Sequence, residues 1–165
     1  MKVNIRNLES DLVELDAILD NTFIDQDLVD YYRGPVKVHL ILDKFGRNYR
    51  IDIDLSTEAQ YVCDRCLSEY PYSFKAKQRQ ILQLGCMAGD EDEQEIIFLP
   101  ENTTEIDLAP YLTEMILLNH PLKMLCRENC LGICPHCGTD LNTGVCTCPE
   151  QPVDPKWDAL RKLIK

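Results

Sequence analysis

The apolar residues of the chain alternate with polar ones over its central third. They recur at every second position in two runs, which are Val36, Val38, Leu40 and Leu42, and then Tyr49, Ile51, Ile53 and Leu55. This period is typical of strands that bury one face. Residues 43–48 between the runs include Gly46 and Asn48, which suit a turn. The pattern therefore predicts a β-hairpin.

The strand character continues beyond the hairpin. Residues 58–63 and 72–84 extend it, and residues 96–99 form a further short apolar run that Pro100 ends. These segments predict an antiparallel sheet over roughly residues 34–99, with a partly closed barrel as one form of it. The Gly-rich and acidic stretch 85–93 predicts an exposed loop.

Apolar spacings of three to four residues predict helices before and after the sheet in the sequence. Residues 8–30 predict one or two short helices with an acidic outer face. Residues 107–119 predict a core helix packed on the sheet, with Asp107 as its N-cap and Pro110 in its first turn. Residues 154–164 predict a short terminal helix with Trp157 on its apolar face. We thus expect an α+β fold with a core domain over 1–121 and a cysteine-rich, zinc-binding tail over 122–165.

Composition and charge limit the classes of protein to which the chain can belong. The chain has 165 residues, a net charge of −11 and nine cysteines. No apolar run approaches the roughly 18 residues of a membrane helix, and the start does not resemble a signal peptide. We therefore expect a cytoplasmic protein with no membrane partner. In a reducing compartment, an odd number of clustered cysteines indicates metal binding rather than a disulfide framework.

Six cysteines lie within 23 residues of the tail, in the spacing Cys126-x3-Cys130-x3-Cys134-x2-Cys137-x8-Cys146-x-Cys148. Zn²⁺ prefers four thiolates in a tetrahedron. Cys134 and Cys137 flank a tight turn that Gly138 closes, and a second pair follows after a Gly-containing loop. The preferred ligand set is Cys134, Cys137, Cys146 and Cys148. Cys126 or Cys130 could replace either member of the last pair.

A further pair, Cys63 and Cys66, lies within the predicted sheet. Residues three apart on a straight strand point to opposite faces, so these thiols could share a metal only across a turn. With this pair the clustered cysteines number eight. They would serve two four-thiolate sites, or one zinc ribbon plus four other thiols, and two buried structural thiols are the plain alternative at Cys63 and Cys66.

No catalytic constellation emerges from the sequence. Cys130-x3-Cys134-x2-Cys137 has the spacing of radical S-adenosylmethionine enzymes, but only 28 residues follow, too few for their partial barrel. Nothing places His39, His120 or His136 beside a reactive thiol, and we expect His120 to be structural. There is no Gly-rich phosphate loop. We therefore expect a protein that is not an enzyme and has no small-molecule substrate.

Basic residues form a row despite the acidic total. Lys75, Lys77 and Arg79 alternate on a predicted strand, so they project from one face over about 13 Å. Tyr72, Phe74 and Ala76 would fall on the opposite, core-facing side. Such a row could follow the phosphates of RNA, with Arg65 in the adjoining turn, and a solvated strand face is the alternative.

The sequence resembles the YceD family, the large ribosomal RNA subunit accumulation proteins. The resemblance runs from about residue 30 to the end of the chain. The matching features are Cys63-Asp64-Arg65-Cys66-Leu67, Ile106-Asp107-Leu108 with Glu114, Pro121-Leu122, the segment 130–138, Asp140-Leu141-Asn142, Cys146-Thr147-Cys148, and Asp154-Pro155-Lys156-Trp157 leading to 160–163. Because some family members lack the cysteine tail and keep the Cys-x-Arg-Cys turn, the resemblance implies a structural metal in the tail.

The resemblance implies a role in accumulation or processing of large-subunit ribosomal RNA. The expected partner is that RNA or its precursor, together with ribosomal proteins, and Arg65, Lys75, Lys77 and Arg79 are the candidate RNA contacts. Two rival interpretations stay open. One is a zinc-ribbon protein-interaction module in transcription or ribosomal-protein handling. The other is a thiol switch that releases zinc on oxidation.

Overall fold

A computed structural model describes residues 1–6, 11–85 and 96–149. A five-stranded sheet forms its body, in the spatial order β2-β3-β4-β5-β6. The strands are β1 (Lys2–Asn4), β2 (Leu12–Leu19), β3 (Val36–Phe45), β4 (Asn48–Val62), β5 (Glu69–Leu84), β6 (Ile96–Leu99) and β7 (Glu105–Asp107). One helix, α1 (Ala109–Asn119), follows them.

The predicted hairpin is confirmed and is longer than expected. β3 and β4 pair antiparallel as far as Phe45 and Asn48, so Gly46 and Arg47 alone connect them. Gly46 has a φ of 65°, a left-handed conformation that favours glycine. β4 then pairs with β5 along its whole length, from Asn48 to Val62.

The helices predicted within residues 8–30 are wrong over the described part of that stretch. Residues 12–19 form the edge strand β2, which pairs antiparallel with β3 from Leu12 to Leu19. A single 3₁₀ turn, Asn21–Phe23, follows it. Val13, Ala17 and Leu19 are half-buried and alternate with exposed residues, which is the period of a strand. The sequence hides that period because its leucines also fit a helical spacing.

The sheet is mixed rather than antiparallel. β6, predicted correctly at 96–99, pairs parallel with β5 from Ile81 to Leu84. Among the described strands, β2 and β6 are the two edges and do not pair with each other, so the expected barrel closure is not found. A smaller two-stranded sheet joins β1 to β7, with Val3 opposite Ile106.

The core lies between the large sheet, the small sheet and α1. The helix contributes the buried side chains of Leu112, Met115 and Ile116 to this core, as expected of a core helix. The carboxylate of Asp107 accepts a hydrogen bond from the backbone N–H of Ala109 at 3.1 Å, although the N-cap position itself is Leu108. No helix in the described ranges is long and apolar enough to cross a membrane.

Two predictions fall outside the described residues. They are the loop at 85–93, of which only Gly85 is described, and the terminal helix at 154–164 with Trp157. The division at residue 121 stays a prediction.

Candidate metal centres and basic sheet face

The Cys63 and Cys66 thiols converge because a tight turn connects β4 to β5. The backbone N–H of Leu67 donates to the carbonyl of Cys63, and the N–H of Cys63 donates to the carbonyl of Ser68, each at 2.9 Å. Leu67 has a φ of 58°, which is rare for a non-glycine residue. The turn thus places both thiols on one side of the hairpin end.

Two tail cysteines meet this pair. Cys63 Sγ lies 3.8 Å from Cys130 Sγ, and Cys66 Sγ lies 3.6 Å from Cys126 Sγ. All four sulfur atoms lie within 4.8 Å of one another. Four sulfurs at about 2.3 Å from a tetrahedral zinc ion would be about 3.8 Å apart. We call this group the hinge cluster.

Cys134, Cys137, Cys146 and Cys148 form a second group with the same limit of 4.8 Å, the tail cluster. Cys146 Sγ lies 3.7 Å from Cys137 Sγ and 3.3 Å from Cys134 Sγ. Gly138 has a φ of 71°, and its N–H donates to the carbonyl of Cys134 at 2.9 Å. This turn folds the chain back so that both thiols face the second pair.

Hydrogen bonds favour the thiolate form of some cysteines in each cluster. Desolvation opposes ionisation of Cys63, but backbone N–H groups of Cys126, Cys66 and Arg65 outweigh it and lower the pKa to about 6. In the tail cluster, the Thr139 hydroxyl is the main cause that lowers the pKa of Cys137 to about 6.

One thiol in each cluster has a strongly raised pKa. Desolvation and the neighbouring thiols raise the pKa of Cys126 to about 12. The Cys146 side chain is the main cause that raises the pKa of Cys148 to about 12. Close thiolates repel each other, and a bound divalent cation would remove that penalty.

The structure sorts the eight clustered cysteines into two fours. The preferred set of the sequence analysis is the tail cluster. The alternates Cys126 and Cys130 lie instead with Cys63 and Cys66, and Cys86 falls outside the described residues. Metal ligation itself stays a prediction. In both Cys63/Cys66 and Cys134/Cys137 two residues separate the cysteines, and this repeated spacing was the sequence signal for two sites. The sequence could not show which of the other cysteines would join each pair.

The side chains of His120 and His39 have partners outside the two cysteine clusters. His120 Nδ1 lies 2.9 Å from the Tyr32 hydroxyl, in a group of buried aromatic rings, and desolvation lowers its pKa. His39 Nδ1 lies 2.8 Å from a carboxylate oxygen of Asp16, which raises the pKa of His39. These contacts fit the structural role expected of His120.

Lys75, Lys77 and Arg79 lie exposed on the outer face of β5, while Phe74 and Ala76 are buried on the inner face. Tyr72, expected inside, is 43% exposed. The outer face is shared with acidic residues of β4. Lys77 Nζ lies 2.7 Å from Asp54, and Arg79 forms an ion pair with Asp52. Arg65 points elsewhere: its guanidinium donates to the backbone carbonyl of Cys130 at 2.7 Å.

A cationic residue that the sequence analysis missed lies across the sheet from Lys75. In the pairing register, Lys37 of β3 and Lys75 of β5 both lie opposite Ser56 of β4. The next outward-facing position on β4 is Asp54, the partner of Lys77. All these residues line an open groove of about 640 Å³. Ser56 thus leaves a gap in the acidic side chains of β4, between Asp54 and Glu58, and Lys37 and Lys75 flank that gap.

Comparisons with known proteins agree on one family. Residues 51–164 match the family profile described as large ribosomal RNA subunit accumulation protein YceD. The uncharacterised protein YlbN of Bacillus subtilis is 30% identical over 133 residues, covering 80% of this chain and 76% of its own. An uncharacterised protein of Mycobacterium tuberculosis is 26% identical over 155 residues, covering 84% and 73%.

A plant protein shares a shorter region. The chloroplastic YCED homolog 1 of Zea mays, named a large ribosomal RNA subunit accumulation protein, is 38% identical over 74 residues, which are 42% of this chain and 25% of its own. No solved structure matches the chain. The profile match includes both cysteine turns, the basic row and α1, and on this match the chain belongs to the YceD family.

Proposed function

We propose that this protein supports the accumulation of large-subunit ribosomal RNA by binding that RNA or its precursor, and that it is not an enzyme. The family match over residues 51–164 carries the proposal. The name of the maize relative, a large ribosomal RNA subunit accumulation protein, supports it. Ribosome assembly would place the protein in the cytoplasm, where ribosomal proteins are further partners.

The basic outer face of the sheet is the proposed RNA surface. Lys75, Lys77 and Arg79 form its row on β5, and Lys37 adds a fourth cation across Ser56. The ion pairs of Lys77 and Arg79 are exposed, and such pairs contribute only about 0–1 kcal/mol, so phosphates can compete for these cations. Because the chain carries a net charge of −11, binding would be local to this face.

The tail cluster is the proposed zinc site. Four thiolates at tetrahedral spacing suit Zn²⁺. Apart from a glycine, Cys130 and Cys134 are the only buried residues between positions 126 and 149. Because this segment buries no aliphatic or aromatic side chain, burial of apolar surface cannot fold it. Zinc there would be structural.

Crosslinking in growing cells tests the proposed function. Ultraviolet light would crosslink the tagged protein to bound RNA, and the attached RNA would be sequenced. We expect enrichment of one region of large-subunit ribosomal RNA or its precursor. Background-level crosslinks from a well-expressed protein would contradict RNA binding.

Charge variants test the surface with the RNA so identified. The triple variant Lys75→Ala/Lys77→Ala/Arg79→Ala should bind more weakly and with a shallower salt dependence. The log–log slope should fall by about 0.7 for each cation that no longer neutralises a phosphate of single-stranded RNA. A matched control, Lys2→Ala/Arg6→Ala/Lys123→Ala, removes three charges elsewhere and should keep the wild-type slope. Equal slopes in the two triple variants would contradict the surface.

A protein-interaction module is the second candidate function. Leu117 and Leu118 in the last turn of α1 and Leu122 just after the helix are 58%, 70% and 105% exposed, which is unusual for three leucines close together in the chain. Protein-specific crosslinks at these leucines, with RNA crosslinks at background, would favour this alternative.

A further inference from the structure

We propose that the hinge cluster binds a second metal ion, which fastens the cysteine tail to the central sheet. Its four thiolates come from two distant segments, with Cys63 and Cys66 on the β4–β5 turn and Cys126 and Cys130 in the tail. This proposal does not depend on RNA binding. It concerns how the two parts of the chain are held together.

The sulfur geometry fits one tetrahedral ion. The sulfur separations of 3.6 and 3.8 Å match the roughly 3.8 Å edge of a zinc–thiolate tetrahedron. They are far longer than the roughly 2.05 Å of a disulfide bond. Four sulfurs within 4.8 Å of one another also leave too little room for a four-iron cluster. A single thiophilic divalent cation such as Zn²⁺ is the ligand that fits.

Hydrogen bonds of Asp64 and Arg65 with the tail backbone hold the two halves of the cluster together. The N–H of Asp64 donates to the carbonyl of Met124 at 2.8 Å, and the N–H of Met124 donates back to the Asp64 carboxylate at 2.7 Å. The Arg65 guanidinium donates to the carbonyl of Cys130, and the Arg65 carbonyl accepts from the N–H of Ile133 at 3.1 Å. The two residues between Cys63 and Cys66 thus bind the tail on both sides of its ligands.

The tail fits this turn closely. Gly132 has a φ of 79°, and a Cβ added there would lie 3.0 Å from the Arg65 carbonyl oxygen. Asn142 donates from Nδ2 to Cys130 Sγ at 3.5 Å, which orients a ligand from outside the cluster. Cys63 and Cys130 are almost fully buried, so the site is largely closed to solvent, as structural metal sites are.

Metal content tests the proposal in the full chain. Protein refolded with Zn²⁺ and passed over a desalting column should hold two zinc ions per chain. The variant Cys66→Ser/Cys126→Ser removes one half-buried thiol from each segment and should hold one. The matched control Cys137→Ser/Cys146→Ser makes the same change in the tail cluster and should also hold one.

Limited proteolysis gives a readout that separates fastening from metal counting. Cys66→Ser/Cys126→Ser should speed cleavage between Asn119 and Cys134 several-fold, while the control should cleave there at the wild-type rate. Far-UV circular dichroism checks that the sheet is folded in both. Zinc content per chain that is the same in Cys66→Ser/Cys126→Ser as in the wild type would overturn the proposal. Equal cleavage of the two variants would overturn the fastening role.

Discussion

Tyr32 and Tyr61 are buried polar side chains at the centre of the molecule. Both are fully buried, and their hydroxyl oxygens lie 2.7 Å apart. The Tyr32 hydroxyl also lies 2.9 Å from His120 Nδ1, so it joins the turn before β3, the end of β4 and the end of α1. Desolvation raises the pKa of Tyr32 and lowers that of His120, which keeps both groups neutral near pH 7.

Replacing Tyr32 by Phe should destabilise the fold. The change leaves the Tyr61 hydroxyl and His120 Nδ1 without this partner in a buried setting, which costs about 1–3 kcal/mol. Urea unfolding would measure the loss, with Tyr72→Phe as the control because Tyr72 is 43% exposed. An unfolding midpoint for Tyr32→Phe equal to that of the control would contradict this role.

The β3–β4 hairpin shows which elements the sequence can predict. Its alternating apolar positions predict both strands, but the connection is shorter than the predicted residues 43–48, because the strands pair as far as Phe45 and Asn48. β2 resembles a helix in sequence because Leu12, Leu15 and Ile18 also fit a helical spacing, and only pairing with β3 decides between the two. The parallel pairing of β6 with β5 depends on distant contacts, which local patterns do not encode.

The short connection of this hairpin requires a glycine. Gly46→Ala should destabilise the protein by about 1–2 kcal/mol, because a side chain at a left-handed φ is strained. Thermal or urea unfolding would measure the effect. Gly34→Ala is the control, since Gly34 lacks a positive φ. An added Cβ there would lie 3.5 Å from the backbone oxygen of Glu58, which is an ordinary van der Waals distance. Equal stability of the two variants would contradict the argument.

The molecule combines a core stabilised by buried apolar side chains with a tail that has no such apolar core. The buried cluster draws on both sheets and α1, and it contains no cysteine among the described residues. The sequence predicted the six tail thiols and the turn at Cys63 and Cys66 as metal-binding candidates. It could not predict that Cys126 and Cys130 lie against that turn, because convergence of segments 60 or more residues apart is a property of the folded chain.

Metal removal should therefore affect the two parts differently. With a strong chelator, amides of β3, β4 and β5 should keep their protection from hydrogen exchange, because the apolar core remains. Amides of Cys130, Ile133 and Cys134, which donate to backbone carbonyls around the two clusters, should lose theirs. Added zinc should restore it. Loss of protection throughout the sheet would contradict this division.

The hinge cluster also sets an order of events during synthesis. Cys66 precedes Cys126 by 60 residues, and Cys63 precedes Cys130 by 67. At translation rates of about 5–20 residues per second, the first two thiols would exist for roughly 3–13 s before the others are made. A nascent chain would therefore carry half a metal site during that interval. Metal capture at the hinge cluster would then mark a chain whose helix α1 has already been translated.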